Sequence, residues 1–343
     1  MKHLWFEKGA YAAKSARQYI EDEFEPKNIK KIAVIRHAAL GDQVIVRPFL
    51  VEARKFFPNA EITLVTVSNY LYGTPSELAD KTIVMKSRED SKGLSLKEKY
   101  QDYNQLDEQD IVFDVAGTNR SYWLTLLTKA KLKVGFPYTS FLCGKLYNLA
   151  VFRSDFQPEV ECMLDMLKIL GHNPTYPLDF AYPDHRLLKD TTEPYVVYFS
   201  GASQLRKILS KEEMRQVIEQ AIEHQPDVKH VFLEGKNDFE KGEFLQDLAD
   251  AGKLAIQPCL PLNELVEFIA RASLVVAPDT GIRNVAISTH TPTVGIFYAT
   301  VPFRYTPLYE QHWVVMNANG SKPTSDQIVK SIGCALKSNN NNR

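Results

Sequence analysis

Short apolar runs of strand length, each followed by a turn and then by a stretch of helical character, recur along this chain in two successive rounds. In the first round, strands are expected at residues 32–35 (IAVI), 61–67 (EITLVTV), 82–85, 111–115 (IVFDV) and 133–136, with helical segments at 44–57 and 122–130. The run at 32–35 is apolar throughout, as strands buried on both faces of a parallel sheet are. The helical stretch at 44–57 carries Pro48 in its early turns and is closed by Pro58 and Asn59, residues that stop a helix. Strands alternating with helices imply parallel βαβ units joined by right-handed crossovers.

Residues 172–194 interrupt this rhythm with Pro174, Pro177, Pro183 and Pro194 among polar side chains, and read as a domain linker. The pattern then restarts. Strands are expected at 195–199 (YVVYF), 231–234, 274–277 (LVVA) and 293–297 (TVGIF), with helices at 211–224, around 240–251, at 262–272 and at 324–337 before a polar SNNNNR end. A length of 343 residues suits two domains of ordinary size. The expected fold class is therefore α/β, with two doubly wound parallel-sheet domains. Such pairs place a ligand in the cleft between them, at the carboxyl ends of the strands.

Composition excludes several function classes. Lys and Arg number 41 and Asp and Glu 42, a net charge of −1, so there is no global electrostatic footprint for nucleic acid. Cys143, Cys162, Cys259 and Cys334 are scattered with no C-x-x-C pair, which argues against a disulfide scaffold or a cysteine-rich zinc module and fits a reducing cytosol. No H-E-x-x-H, histidine cluster or D-x-D gives a metal an obvious seat. No signal-peptide core and no membrane-length apolar run is present, so a soluble, cytoplasmic protein is expected. Residues 1–28 stand apart as an arm mixing Leu4, Trp5, Phe6, Tyr11, Tyr19 and Ile20 with Lys2, Lys8, Lys14 and Arg17 before an acidic run at 21–25. This arm is open to two readings: an amphipathic helix lying on anionic lipid, or a segment packed on the protein's own surface. The second is favoured, because the apolar face is short and the arm ends acidic.

Four strand-to-helix turns are able to carry chemistry. Arg36-His37-Ala38-Ala39-Leu40-Gly41-Asp42 has a single glycine, Gly41, to shape a tight loop, and lacks the G-x-G-x-x-G dinucleotide fingerprint. Asp42 is either a helix cap stabilised by the helix dipole or a general base aimed at a ligand. Pro278-Asp279-Thr280-Gly281-Ile282-Arg283-Asn284 offers backbone N–H groups for a diphosphate and Asp279 for sugar hydroxyls; the alternative is another cap. Ser200-Gly201-Ala202-Ser203-Gln204-Leu205-Arg206-Lys207 leaves room for a ligand at Gly201, a donor in Ser203 and a phosphate cation in Lys207 or Arg206, against the alternative of a solvated basic turn. The turn 234–240 ends in Glu240, which can hydrogen-bond a ribose. Tyr298 and Phe303 could wall a base pocket or simply pack.

Taken together these turns resemble glycosyltransferase family 9, the bacterial ADP-heptose:lipopolysaccharide heptosyltransferases. The resemblance covers roughly residues 30–310. KIAVIRHAALGDQVIVRPFLVEARKFFPNAEITLVT is similar to that family's opening, VFDVAGTNRSYWLTLLTKAKLKVGF to its middle, and SLVVAPDTGIRNVAISTHTPTVGIFYAT to its second signature. The resemblance implies a GT-B fold with two Rossmann-like doubly wound domains: an arm at 1–28, an acceptor domain at 29–180, a nucleotide-sugar domain at 181–322, and a C-terminal helix and tail at 323–343 packing back toward the first domain. It implies inverting, metal-independent transfer with no cofactor, from a nucleotide-sugar donor (an ADP-sugar, most simply ADP-heptose) to a lipid-linked glycan such as the lipopolysaccharide core, with peripheral contact at the cytoplasmic face of the inner membrane. By the same resemblance Asp42 is the catalytic base, Lys207 binds the diphosphate, and Asp279, Thr280 and Gly281 form the donor loop, with Asn284, Ser203 and Glu240 also on the donor side. Two departures fall there: Phe199-Ser200 precede Gly201-Ala202 where many members have His-Pro, and Asn284 stands where many have His. They leave open a different donor with an O-antigen or capsule acceptor. A nucleotide-sugar-binding protein without catalysis is the other alternative, and the presence of Asp42 and Lys207 weighs against it.

Overall fold

The structure is a computed structural model that describes residues 3–7, 10–136, 146–188, 193–309 and 311–341. Expectations touching Lys2, Lys8, Cys143 and the end of the polar tail lie outside these residues. The chain divides into two compact units, residues 1–181 and 182–343.

The first unit holds β1 (His3–Glu7), β2 (Ala10–Ala13), β3 (Lys31–Ile35), β4 (Glu61–Val67), β5 (Lys81–Met85), β6 (Gln109–Asp114), β7 (Ala130–Gly135) and β8 (Leu149–Ala150). They form one sheet in the order β1-β2-β8-β7-β6-β3-β4-β5. From β8 to β5 the strands run parallel, with Val34 paired to Leu64 on one side and Phe113 on the other. The centre of the sheet is apolar because both faces are covered. Ala33, Ile35, Val65 and Val112 pack with Leu124 on one face. On the other, Phe113 meets Phe49 edge to face at 5.2 Å between ring centres.

The arm is the largest difference from the sequence reading. β1 and β2 form a hairpin that joins the sheet antiparallel through β8. The helix Lys14–Asp22 follows, with Ala16 buried. Tyr19 packs edge-on against Phe24, which reaches Phe57. Tyr11, Ala16 and Tyr19 of the arm thus pack within their own unit. Tyr11 is buried and its hydroxyl donates to the Tyr147 carbonyl at 2.5 Å.

Tyr147 in turn donates to the buried Asp114 carboxylate at 2.6 Å. Burial raises the pKa of Asp114, and the Tyr147 hydroxyl opposes that shift. Gly135 makes this contact possible: a Cβ there would lie 2.3 Å from the Tyr147 ring. A rigid buried ring cannot yield as a flexible side chain end would. Gly135→Ala should therefore cost about 1–3 kcal/mol of stability through overpacking, read as a lowered urea midpoint.

The second unit holds β9 (Tyr195–Tyr198), β10 (Lys229–Leu233), β11 (Ala255–Gln257), β12 (Leu274–Pro278), β13 (Thr293–Ile296) and β14 (His312–Val315). Their order is β11-β10-β9-β12-β13-β14, and every pairing is parallel. Both units are therefore doubly wound, as the strand–helix alternation predicts. The C-terminal helix is Ser325–Asn341. Its Ile328, Val329, Ile332, Ala335 and Leu336 lie in one buried cluster with Val217, Ile218 and Val294 of the second unit. That apolar stripe is buried within the second unit. Among the described residues no helix is long and apolar enough to cross a membrane.

Candidate functional site

In a doubly wound sheet, ligands bind beyond the carboxyl ends of the strands where the strand order reverses. In the first unit the reversal falls between β3 and β6, and in the second between β9 and β12. Three of the four turns singled out in the sequence leave these strands, and the fourth leaves β10.

In the first unit the chain leaves β3 through Arg36 and enters a helix at Leu40, Leu40–Ile45, earlier than the pattern suggests. A break at Val46 separates it from Arg47–Phe56, where Pro48, lacking an N–H, suits the first turn. Gly41 is accordingly a helical residue, not a loop one. Asp42 lies in the first turn, but the N-cap is Ala39, and no side chain caps this helix. The Asp42 carboxylate instead meets the Arg36 guanidinium, Nη2 donating to Oδ1 at 3.1 Å. Its side chain is 44% exposed, whereas that of Arg36 is 3% exposed. Asp42 is therefore a part-exposed, ion-paired carboxylate and not a cap. Next to it, the His37 ring lies 3.3 Å from the Thr118 hydroxyl in the turn after β6. Burial, with Arg120 and Arg36 adding, pushes its pKa down to about 3, so the imidazole is neutral at physiological pH.

In the second unit the turn after β9 and the turn after β12 are tied together. Lys207 Nζ donates to Asp279 Oδ2 at 2.6 Å, with side chains 14% and 7% exposed. The Lys207 ammonium also lies 5.9 Å from the centre of the Tyr305 ring. Thr280 is the N-cap residue of the helix Gly281–Ser288, yet neither it nor Asp279 makes a side-chain cap bond. The first-turn amides of that helix thus keep no side-chain acceptor, and its dipole favours an anion there. Asn284 is buried in the same turn, whereas Ser203 is exposed on the surface.

Glu240 has a more specific setting than its turn suggests. A Cβ on Gly201 would come within 2.1 Å of its Oε1, and one on Gly235 within 2.2 Å of its Oε2. The carboxylate is therefore clasped between two glycines. It accepts from the backbone N–H and the side-chain amide of Asn237, each at 2.9 Å. This places it beside the turn after β9, one strand from Asp279.

Two residues escaped the sequence reading. Arg36 stands there only as the first residue of a turn. Arg283 is fully buried, donates to the Tyr305 carbonyl at 2.7 Å and the Thr306 hydroxyl at 2.9 Å, and lies 5.0 Å from the Phe297 ring centre. Burial lowers its pKa to about 10, with Asp279 opposing the shift. Its signal is a basic residue in a helix whose Ile282, Val285, Ala286 and Ile287 are apolar. Among the described residues, no cluster of three or more His, Cys, Asp or Glu side chains could hold a metal ion.

The glycosyltransferase family 9 (heptosyltransferase) model matches residues 103–331. The chain is 23% identical over 294 residues to the lipopolysaccharide core heptosyltransferase OpsX of Haemophilus influenzae, covering 81% of this chain and 82% of that one. It is 24% identical over 309 residues to lipopolysaccharide heptosyltransferase 1 of Campylobacter coli, covering 80% and 85%. Among solved structures, E. coli heptosyltransferase WaaC with ADP-2-deoxy-2-fluoro heptose superposes with a TM-score of 0.71 at 20% identity, covering 88% of this chain and 99% of that one. A match that runs from the middle of the first unit into the last helix fixes the kinship, and this chain belongs to glycosyltransferase family 9, the heptosyltransferases.

Proposed function

We propose that this enzyme moves a heptose from ADP-heptose to a lipopolysaccharide core or related lipid-linked glycan, inverting the anomeric carbon, at the cytoplasmic face of the inner membrane. The observation that carries the reading is the Lys207–Asp279 pair at the start of an uncapped helix, where the strand order of the second unit reverses. A diphosphate is the ligand class such a helix start and cation suit. An ammonium has three donors, so Lys207 can keep Asp279 and still give a hydrogen bond to a phosphate oxygen.

The chemistry follows from charge. As the acceptor oxygen bonds to the anomeric carbon, the bond from that carbon to the diphosphate breaks, and ADP leaves with the bonding pair. Asp42 takes the acceptor hydroxyl's proton as this happens. Lys207 and the amides of Gly281 and its neighbours meet the charge developing on the leaving group, which makes the transfer metal-independent. Glu240, held between Gly201 and Gly235, accepts from the ribose hydroxyls.

A thermal-shift series tests the donor. A ligand that binds only the folded state at a hundred times its Kd adds about 2.7 kcal/mol. ADP should raise the melting temperature, and UDP and NAD should not. Incubation with ADP-heptose and a heptose-free lipopolysaccharide core should then yield a product whose new anomeric centre is inverted by NMR. A melt that responds to UDP alone, or a retained anomeric configuration, overturns the reading.

A further inference from the structure

Behind Asp42 lies a chain of alternating charges drawn from distant parts of the first unit. Arg36 Nε donates to the backbone carbonyl of Asp42 at 3.2 Å, and Nη2 to its Oδ1 at 3.1 Å. Nη1 donates to the Val115 carbonyl at 2.7 Å and reaches Glu159 Oε1 at 3.4 Å. Arg153 also holds Glu159, its Nε donating to Oε2 at 3.2 Å and its Nη2 meeting both carboxylate oxygens. The Glu159 side chain is 2% exposed and that of Arg153 10%.

Two guanidiniums share the buried Glu159, and that of Arg36 also pairs with Asp42. Arg36 holds the residue at two points, the main-chain carbonyl and one carboxylate oxygen of Asp42. One carboxylate oxygen accepts from the arginine while the part-exposed end of the group stays open to substrate. Arg36 also ties Asp42 to the turn after β6, across the strand-order reversal.

We infer that Arg36 is a positioning residue for the transfer reaction, its buried, Glu159-anchored guanidinium fixing which oxygen of Asp42 faces the acceptor hydroxyl. This rests on the reading of Asp42 as the base. The role requires that Arg36 act through Asp42, and a double-mutant cycle measures that dependence.

The cycle uses the full chain with Arg36→Met, Arg36→Lys, Asp42→Asn and the two double variants. It reads kcat at saturating donor, ADP affinity by calorimetry, and the melting curve. Arg36→Met should lower kcat about 10²-fold, the scale of a mispositioned reacting group, with ADP affinity unchanged. In the Asp42→Asn background the same substitution should lower the remaining rate by less than about twofold. Arg36→Lys should recover part of the loss in the parent and none in the Asp42→Asn background, since it restores one charged donor but not the fork. Equal fold-losses in both backgrounds overturn the inference while leaving Asp42 as the base. Near-parent turnover of Asp42→Asn alone overturns the base assignment instead. Should Arg36→Met lose its cooperative melt, Arg36→Lys carries the same cycle: a loss confined to the Asp42 background supports the inference, and an equal loss in both overturns it.

Discussion

Replacing Asp42 with Asn should lower turnover about 10²–10⁴-fold, the span ordinarily supplied by a general base, while ADP affinity stays within about twofold. The change is nearly isosteric and removes only the group's ability to accept a proton. The Asn side-chain oxygen can still accept from Arg36 Nη2, and the Arg36 Nε bond to the residue 42 carbonyl does not involve the side chain at all. The helix Leu40–Ile45 has no side-chain cap to lose. An Asp acting as a cap would give the opposite pattern, a stability loss of about 0.5–2 kcal/mol with little effect on rate. Single-turnover rates with donor in excess, set beside melting curves, separate the two. Near-parent turnover removes Asp42 from the mechanism. Loss of ADP affinity along with the rate would move the residue from the chemical step to donor binding.

Sequence alone carried the parallel strands and the strand-to-helix turns at their ends, for a physical reason. Central strands of a doubly wound sheet are buried on both faces, so IAVI, YVVYF and LVVA announce themselves as unbroken apolar runs, and EITLVTV as a β-branched one. Edge elements carry no such mark. β11 is the three residues Ala255–Gln257, all of them half-buried, and β8 only Leu149–Ala150. β1 and β2 are recruited by antiparallel pairing to β8, a long-range event that no local pattern encodes. At the site, Asp42, Lys207 and Asp279 stood out as charges in strand-to-helix turns. What local reading could not supply was their partners. The salt bridge of Lys207 spans 72 positions, and the contact of Arg36 with Glu159 spans 123. Glu240 is unremarkable in its turn because its setting depends also on Gly201, a glycine of another turn.

The Lys207–Asp279 pair allows stability and catalysis to be pulled apart. Lys207→Met should lower kcat/KM for the donor by about 10²–10³-fold, the cost of removing one donor to developing negative charge. It should also lower the melting temperature, because it strands a carboxylate only 7% exposed. Breaking a buried pair from one side costs about 3–5 kcal/mol at full burial, and the slightly open lysine places this one toward the low end. Adding Asp279→Asn removes the stranded charge, so the double variant should regain most of the lost stability. It should regain none of the activity, since no ammonium is left to meet the departing diphosphate. Lys207→Arg keeps the charge but presents it as a planar fork in place of a compact point, and should fall between the parent and Lys207→Met in rate. A pair that served the fold alone would behave differently: the double variant would recover rate and melting temperature together. Full kcat/KM in Lys207→Met would mean that the leaving group's charge is met elsewhere, and the second unit's reversal point would lose its claim to the diphosphate.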